Sequence, residues 1–226
     1  MNKFITMSMC AFLCQLSATN DVWRHQKDEQ NLSPTEDLMR EHGLLNRLLL
    51  IYEELIKKFQ EDNGSVYIPE LAASVTIMDD FIHQYHEKLE EQYIFPLFRK
   101  HRKNGHLVKT LHKQHHRGRG ITKRLQEIIA TKGHFDAPVK KTIVHLLKKY
   151  ITMYRPHEAR EDTILFPKVH TLLTKQEFDT LGETFEKTEH ELFGEDGFGQ
   201  LLEKIKTIEK RLGIHDLDQF TPEKGL

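Results

Sequence analysis

The sequence predicts an all-α protein: an up-down-up-down four-helix bundle with a C-terminal helical extension. Three observations predict it. Apolar residues recur at helical spacing through four long segments, short turns separate those segments, and the 226 residues include only 12 Gly and 7 Pro. Charged residues make up 30% of the chain, hydrophobic ones 38%, and the net charge is −1. Lys and Arg are scattered rather than gathered into a stripe, so the chain carries no nucleic-acid footprint.

Residues 1–18 read as a signal peptide. They combine a charged start at Met1-Asn2-Lys3, a short apolar run from Phe4 to Leu16, and the small residues Ser17-Ala18. That run is too short to span a bilayer, so no integral membrane span is expected. Cleavage removes both cysteines, Cys10 and Cys14, and implies a periplasmic or exported chain; without cleavage the chain is cytoplasmic. Residues 19–32 form a polar linker.

The bundle is expected over residues 33–170. Ser33-Pro34-Thr35-Glu36 starts the first helix as a capping box with Pro at its first position. Its apolar stripe is Leu38, Leu45, Leu49, Tyr52, Ile56 and Phe59, with His42 on the same face. Ile68-Pro69-Glu70 opens a second helix reaching about Arg99, which Pro96 should kink or end. A third runs from about His106 to Thr131. A fourth runs from Ala137-Pro138 to Pro167, with a bend expected at Pro156. The extension, residues 171–226, holds a helix starting at the capping box Thr174-Lys175-Gln176-Glu177 and another over about Phe198 to Leu212. No chemistry is read from it.

One pattern occurs twice, 71 residues apart: His86-x-x-x-Glu90 with Phe95-Pro96, and His157-x-x-x-Glu161 with Phe166-Pro167. Residues i and i+4 share a helix face, so each copy aims an imidazole and a carboxylate the same way. Preceding helices add His42 and His115, 44 and 42 residues upstream of the paired histidines, as an internal duplication would. Six groups, His42, His86, Glu90, His115, His157 and Glu161, then converge as a nitrogen-rich donor set suited to first-row transition metals. Two carboxylates among four histidines suggest a dinuclear centre. His83, Glu87 and His112 stand close enough in sequence to offer a seventh ligand. No H-E-x-x-H motif, phosphate loop or cysteine pair points elsewhere.

These motifs, with Glu41-His42 and His115-His116-Arg117-Gly118-Arg119, resemble the hemerythrin-like (HHE cation-binding) family over about residues 34–222. The resemblance implies a four-helix bundle holding two non-haem iron ions bridged by Glu90 and Glu161. The implied partner is a small oxidant: O2, peroxide or nitric oxide. Oxygen-carrying members place an aspartate where Glu161 stands and take two histidines from the third helix. The departure here favours redox chemistry or firmer iron retention. The resemblance therefore implies a binding or sensing protein for a small oxidant, with a di-iron redox enzyme or an iron-responsive interaction module as alternatives.

Overall fold

In the computed structural model, which describes residues 32–61, 64–131 and 135–222, helices account for the fold and no strand occurs among the described residues. The expected signal peptide and nearly all of the polar linker lie outside the described residues. Helix α1 (Pro34–Gln60) starts at the proline and buries the whole stripe from Leu38 to Phe59. A 3-10 turn, Gly64–Tyr67, leads into α2, which spans residues 68–100. Asn104 takes a left-handed conformation (φ 51°) to turn the chain into α3 (Gly105–Ala130). Asp136 caps α4, residues 137–169, by accepting from the Val139 N–H at 3.0 Å. Helix α1 packs on α2 and α4, and α3 closes the ring between them, so the four helices enclose one core.

The C-terminal helices dock on this ring. Helix α5 (Lys175–Phe193) opens with the complete Thr174/Glu177 capping box, and α6 (Gly197–Leu212) ends at left-handed Gly213 (φ 76°). The apolar face of α6 (Phe198, Leu201, Ile205, Ile208, Leu212) is buried against α1 and α2. Arg47 on α1 grips Glu209 on α6 through two hydrogen bonds of 2.8 and 2.6 Å, a bidentate pairing that fixes α6 in register.

The Phe-Pro tags change the winding of their helices rather than ending them. Pro96 does not end α2, which continues to Lys100. The turn before it widens instead: Glu90–Ile94 is π-helical, and the Phe95 N–H bonds to the Glu90 carbonyl five residues back. A proline inside a helix lacks a donor and its ring collides with the carbonyl four residues earlier. Inserting one extra residue per turn removes that collision without breaking the helix. Helix α4 repeats the device, with π-helical Glu161–Leu165, a Phe166 N–H to Glu161 carbonyl bond, and Pro167 beyond. The α-helix stays regular through Pro156 to Arg160, so the change of winding falls at Glu161 rather than at Pro156. A third π-helical stretch, Met78–His86, has no proline to explain it.

Gly118 on α3 is a packing requirement. A methyl group there would overlap the hydroxyl and ring of Tyr154, which is itself buried against α3. We expect Gly118→Ala to cost about 1–3 kcal/mol, the usual penalty for overfilling a tight core. Urea or thermal unfolding reads it, and an unchanged stability would show that Tyr154 is not seated against this glycine.

Candidate metal centre

The six expected ligands meet inside the bundle, none more than 3% exposed. They arrive as two matched halves. His42 (α1) and His86 (α2) bring their Nε2 atoms to 3.1 Å; His115 (α3) and His157 (α4) bring theirs to 3.2 Å. Each carboxylate then reaches one histidine of each pair. Glu90 Oε2 lies 3.3 Å from His115 Nε2 and 3.8 Å from His86 Nε2. Glu161 Oε2 lies 3.1 Å from His157 Nε2 and 3.5 Å from His42 Nε2. The π-turns begin at Glu90 and Glu161 themselves, so the wider winding sets the angle at which both carboxylates enter the core.

The opposite nitrogen of every imidazole faces an acceptor. His86 Nδ1 lies 2.5 Å from Glu41 Oε2, and His42 Nδ1 lies 2.7 Å from Asp162 Oδ1. His115 Nδ1 lies 3.1 Å from Glu91 Oε1, and His157 Nδ1 lies 2.9 Å from Gln114 Oε1. Each Nδ1 thus has an acceptor outside the centre while each Nε2 faces inward, the arrangement that metal-binding histidines require. The holding role of these four residues escaped the sequence reading, although Glu41-His42 stood among the motifs and a signal was present. Glu41 and Gln114 immediately precede His42 and His115, and Glu91 and Asp162 immediately follow Glu90 and Glu161. Aligning the two halves on the ligands exposes them.

The donor set fits a cation and little else. All four carboxylate oxygens of Glu90 and Glu161 are buried without a hydrogen-bond partner. Such orphaned acceptors are costly unless a positive charge meets them. Burial and the facing Glu161 push Glu90 well above the usual carboxylate range. Burial also opposes ionisation of Glu161, but His157, His42 and His115 outweigh it and bring Glu161 down to about 2. Burial lowers His86 to about 3 and lowers His157 too, whereas Asp162 and Glu161 outweigh burial to raise His42, and Glu87, Glu90 and Glu91 do the same for His115.

The Phe-Pro tags also wall the site. Phe95 stacks on His115 (5.3 Å between centroids, 25° between planes) and Phe166 on His42 (5.5 Å, 23°). Each tag thus covers a histidine of a different helix with an apolar face. The possible seventh ligands make other contacts, although one Glu87 oxygen lies within 4.8 Å of donor atoms of Glu91 and His115. His83 is buried with Nε2 2.9 Å from Thr122 Oγ1, and its Nδ1 faces Glu87 at 2.9 Å. Both Glu87 oxygens accept hydrogen bonds, from the Tyr154 hydroxyl (2.5 Å) and Arg119 (2.8 Å). His112 is exposed and meets Phe95 edge-on. Arg119 also donates to Glu91 at 2.5 Å, so one guanidinium steadies both acids behind His115.

Residues 33–169 match the family model described as the hemerythrin HHE cation binding domain. Uncharacterised proteins from Mycobacterium tuberculosis and Mycobacterium bovis are each 44% identical to the chain over 196 residues, covering 87% of it and 76% of the relative. No solved structure matches the chain.

Arg119 yields a signed pH dependence. Burial opposes ionisation of Glu91, yet His115, Arg119 and Lys88 hold it down to about 2, against 4.5 when unfolded. A depressed carboxyl stabilises the fold above its unfolded pKa, and that contribution disappears as pH falls towards the folded value. We expect Arg119→Ala to cost roughly 2–3 kcal/mol at pH 7, below the value for a fully buried pair because the arginine is partly exposed. The gap from wild type should narrow as pH falls from 4.5 towards 2. Urea unfolding across that range checks it, and a gap independent of pH would refute the role of Glu91.

Proposed function

Because the chain belongs to the hemerythrin HHE cation-binding family, we propose that its buried centre holds two iron ions and binds or senses O2 or a related small oxidant. His42 and His86 would hold one ion, His115 and His157 the other, and Glu90 and Glu161 would span both. The observation that carries this reading is the sharing of carboxylates. Each glutamate touches a histidine from each pair, and none of its oxygens has another partner. Bound iron supplies electrons and open coordination positions for a diatomic or peroxide ligand.

The protein's own residues do the rest. Glu41, Asp162, Glu91 and Gln114 hold the rings in the coordinating tautomer, which keeps the site formed through changes of ligand. Phe95 and Phe166 exclude bulk water from the faces of His115 and His42. With all six groups buried, the centre suits a molecule of two or three atoms better than an organic substrate. This favours binding or sensing. The Tyr154 hydroxyl, hydrogen-bonded to Glu87 beside His157, is the feature that favours the alternative, a redox enzyme acting on peroxide or nitric oxide.

Metal content and an optical spectrum of anaerobically purified protein, before and after air, test the proposal. We expect about two irons per chain and new near-ultraviolet and visible charge-transfer bands on oxygenation. Bands that reverse on removing oxygen support binding or sensing; bands that decay to a ferric product support the redox enzyme. His86→Ala and His157→Ala should each lose iron. Zinc or no metal after iron-replete expression, with both variants as stable as wild type, would overturn the proposal.

A further inference from the structure

Matched on His42 and His115, helices α1 and α3 differ on their outer faces. Arg47 of α1 grips Glu209 of α6, and Arg40 of α1 lies over the Phe198 ring of α6 at 4.1 Å. Helix α6 thereby lies across α1 and α2 with its apolar face buried. The matching positions of α3 are Lys113 and Gly120, both exposed. The side of the bundle that α6 covers in the first half is thus left open in the second.

At Gly120 an open groove of about 810 Å³ runs between α3 and α4. Its half-buried floor is aliphatic: Ile121, Leu146 and Met153. Its rim is cationic, and no carboxylate lines it among the described residues. Arg119 at one edge is engaged with Glu87 and Glu91, whereas Arg117, Lys123 and Lys149 meet no acid among the described residues. Gly120 adds a second observation. A glycine inside a helix is destabilising, and Gly118 is explained by the Tyr154 ring seated against it. A methyl group at Gly120 would meet nothing within 4 Å, so no contact inside the described fold calls for this glycine. Its missing side chain instead keeps the groove clear.

We propose that this groove docks an acidic amphipathic helix of another protein, its apolar stripe on Ile121, Leu146 and Met153 and its flanking acids against Arg117, Lys123 and Lys149. The chain's own α6 shows the geometry: a 16-residue helix laid across two bundle helices and fixed in register by a charged pair. The aliphatic floor suits such a helix and gives nucleic-acid bases no stacking platform. Unpaired cations around an apolar floor set the sign of the partner's charge and its register. Arg119 ties the groove to the histidine centre, because it donates to Glu91, which meets His115 Nδ1.

The test uses the full chain and a labelled peptide of the Gly197–Leu212 sequence carrying Lys204→Glu, Lys206→Glu, Lys210→Glu and Arg211→Glu, which keeps the apolar stripe of α6 and makes its flanks acidic. Fluorescence anisotropy follows binding. We expect one peptide bound per chain, and roughly tenfold weaker binding of the unaltered peptide. In the full chain, Lys149→Glu and Gly120→Met should each weaken binding by roughly tenfold and leave thermal stability unchanged. The methionine occupies the groove where nothing stands within 4 Å. Lys109→Glu, an exposed cation on α3 outside the groove, should bind as wild type does. No binding by wild type overturns the proposal, and so does equal binding by wild type and Gly120→Met. Sedimentation velocity that shows self-association lost in Lys149→Glu also overturns it, by assigning the groove to a second copy of this chain.

Discussion

Everything in this bundle is organised around one electrostatic problem: four imidazole lone pairs and two carboxylates aimed at each other in a space that water does not reach. Protein donors resolve it poorly, because each imidazole turns its Nδ1 to an acceptor outside the centre and no oxygen of either glutamate has an aligned donor. Left without a cation, the centre must hold protons on some of these groups, which is why burial drives Glu90 up while His86 stays neutral. Metal binding and proton release are therefore the same event here. The apolar core around the centre supplies the stability that lets such a destabilising cluster persist.

Much of this was legible in the sequence, because the ligands obey helical spacing. Two His-x-x-x-Glu copies with matching tags picked out four of the side chains that converge in the core, and the matching intervals to His42 and His115 picked out the other two. The capping box at Thr174 was equally readable, since it satisfies backbone groups locally. Less legible was the meaning of the tag. Pro96 was expected to kink or end its helix and Pro167 to close the next, but a tightly packed helix absorbs proline by widening one turn. The π-winding of Met78–His86 had no local signal at all, because no residue type demands it and only tertiary packing selects it.

The holding residues show a different limit. Nothing about Glu91 or Asp162 in isolation separates them from the many exposed acids of a chain that is 30% charged. Their role comes from position: each follows a ligand glutamate inside a π-turn and reaches back to the histidine of another helix. Arg119 is read the same way, as a residue whose importance lies in Glu87 and Glu91 across the interface. The docking of the extension helices was equally hidden, because their acids are ordinary in sequence and only the fold brings Glu189 against Asp37 and Glu41.

The four residues that hold the rings differ in charge at one place only, and that difference would make the two metal positions of the proposed centre unlike. A carboxylate behind an imidazole raises its basicity more than an amide does. His42 and His86 are both backed by carboxylates, whereas only His115 of the other pair is. In the proposed centre the His42/His86 position would thus be the stronger donor pair, and the His115/His157 position the weaker. A symmetric pair of ions would have no preferred end at which to admit a small oxidant. Here the substitution of Gln114 for an acid, at a site where Glu41 stands in the other half, breaks that equivalence with a single side chain and no change of backbone.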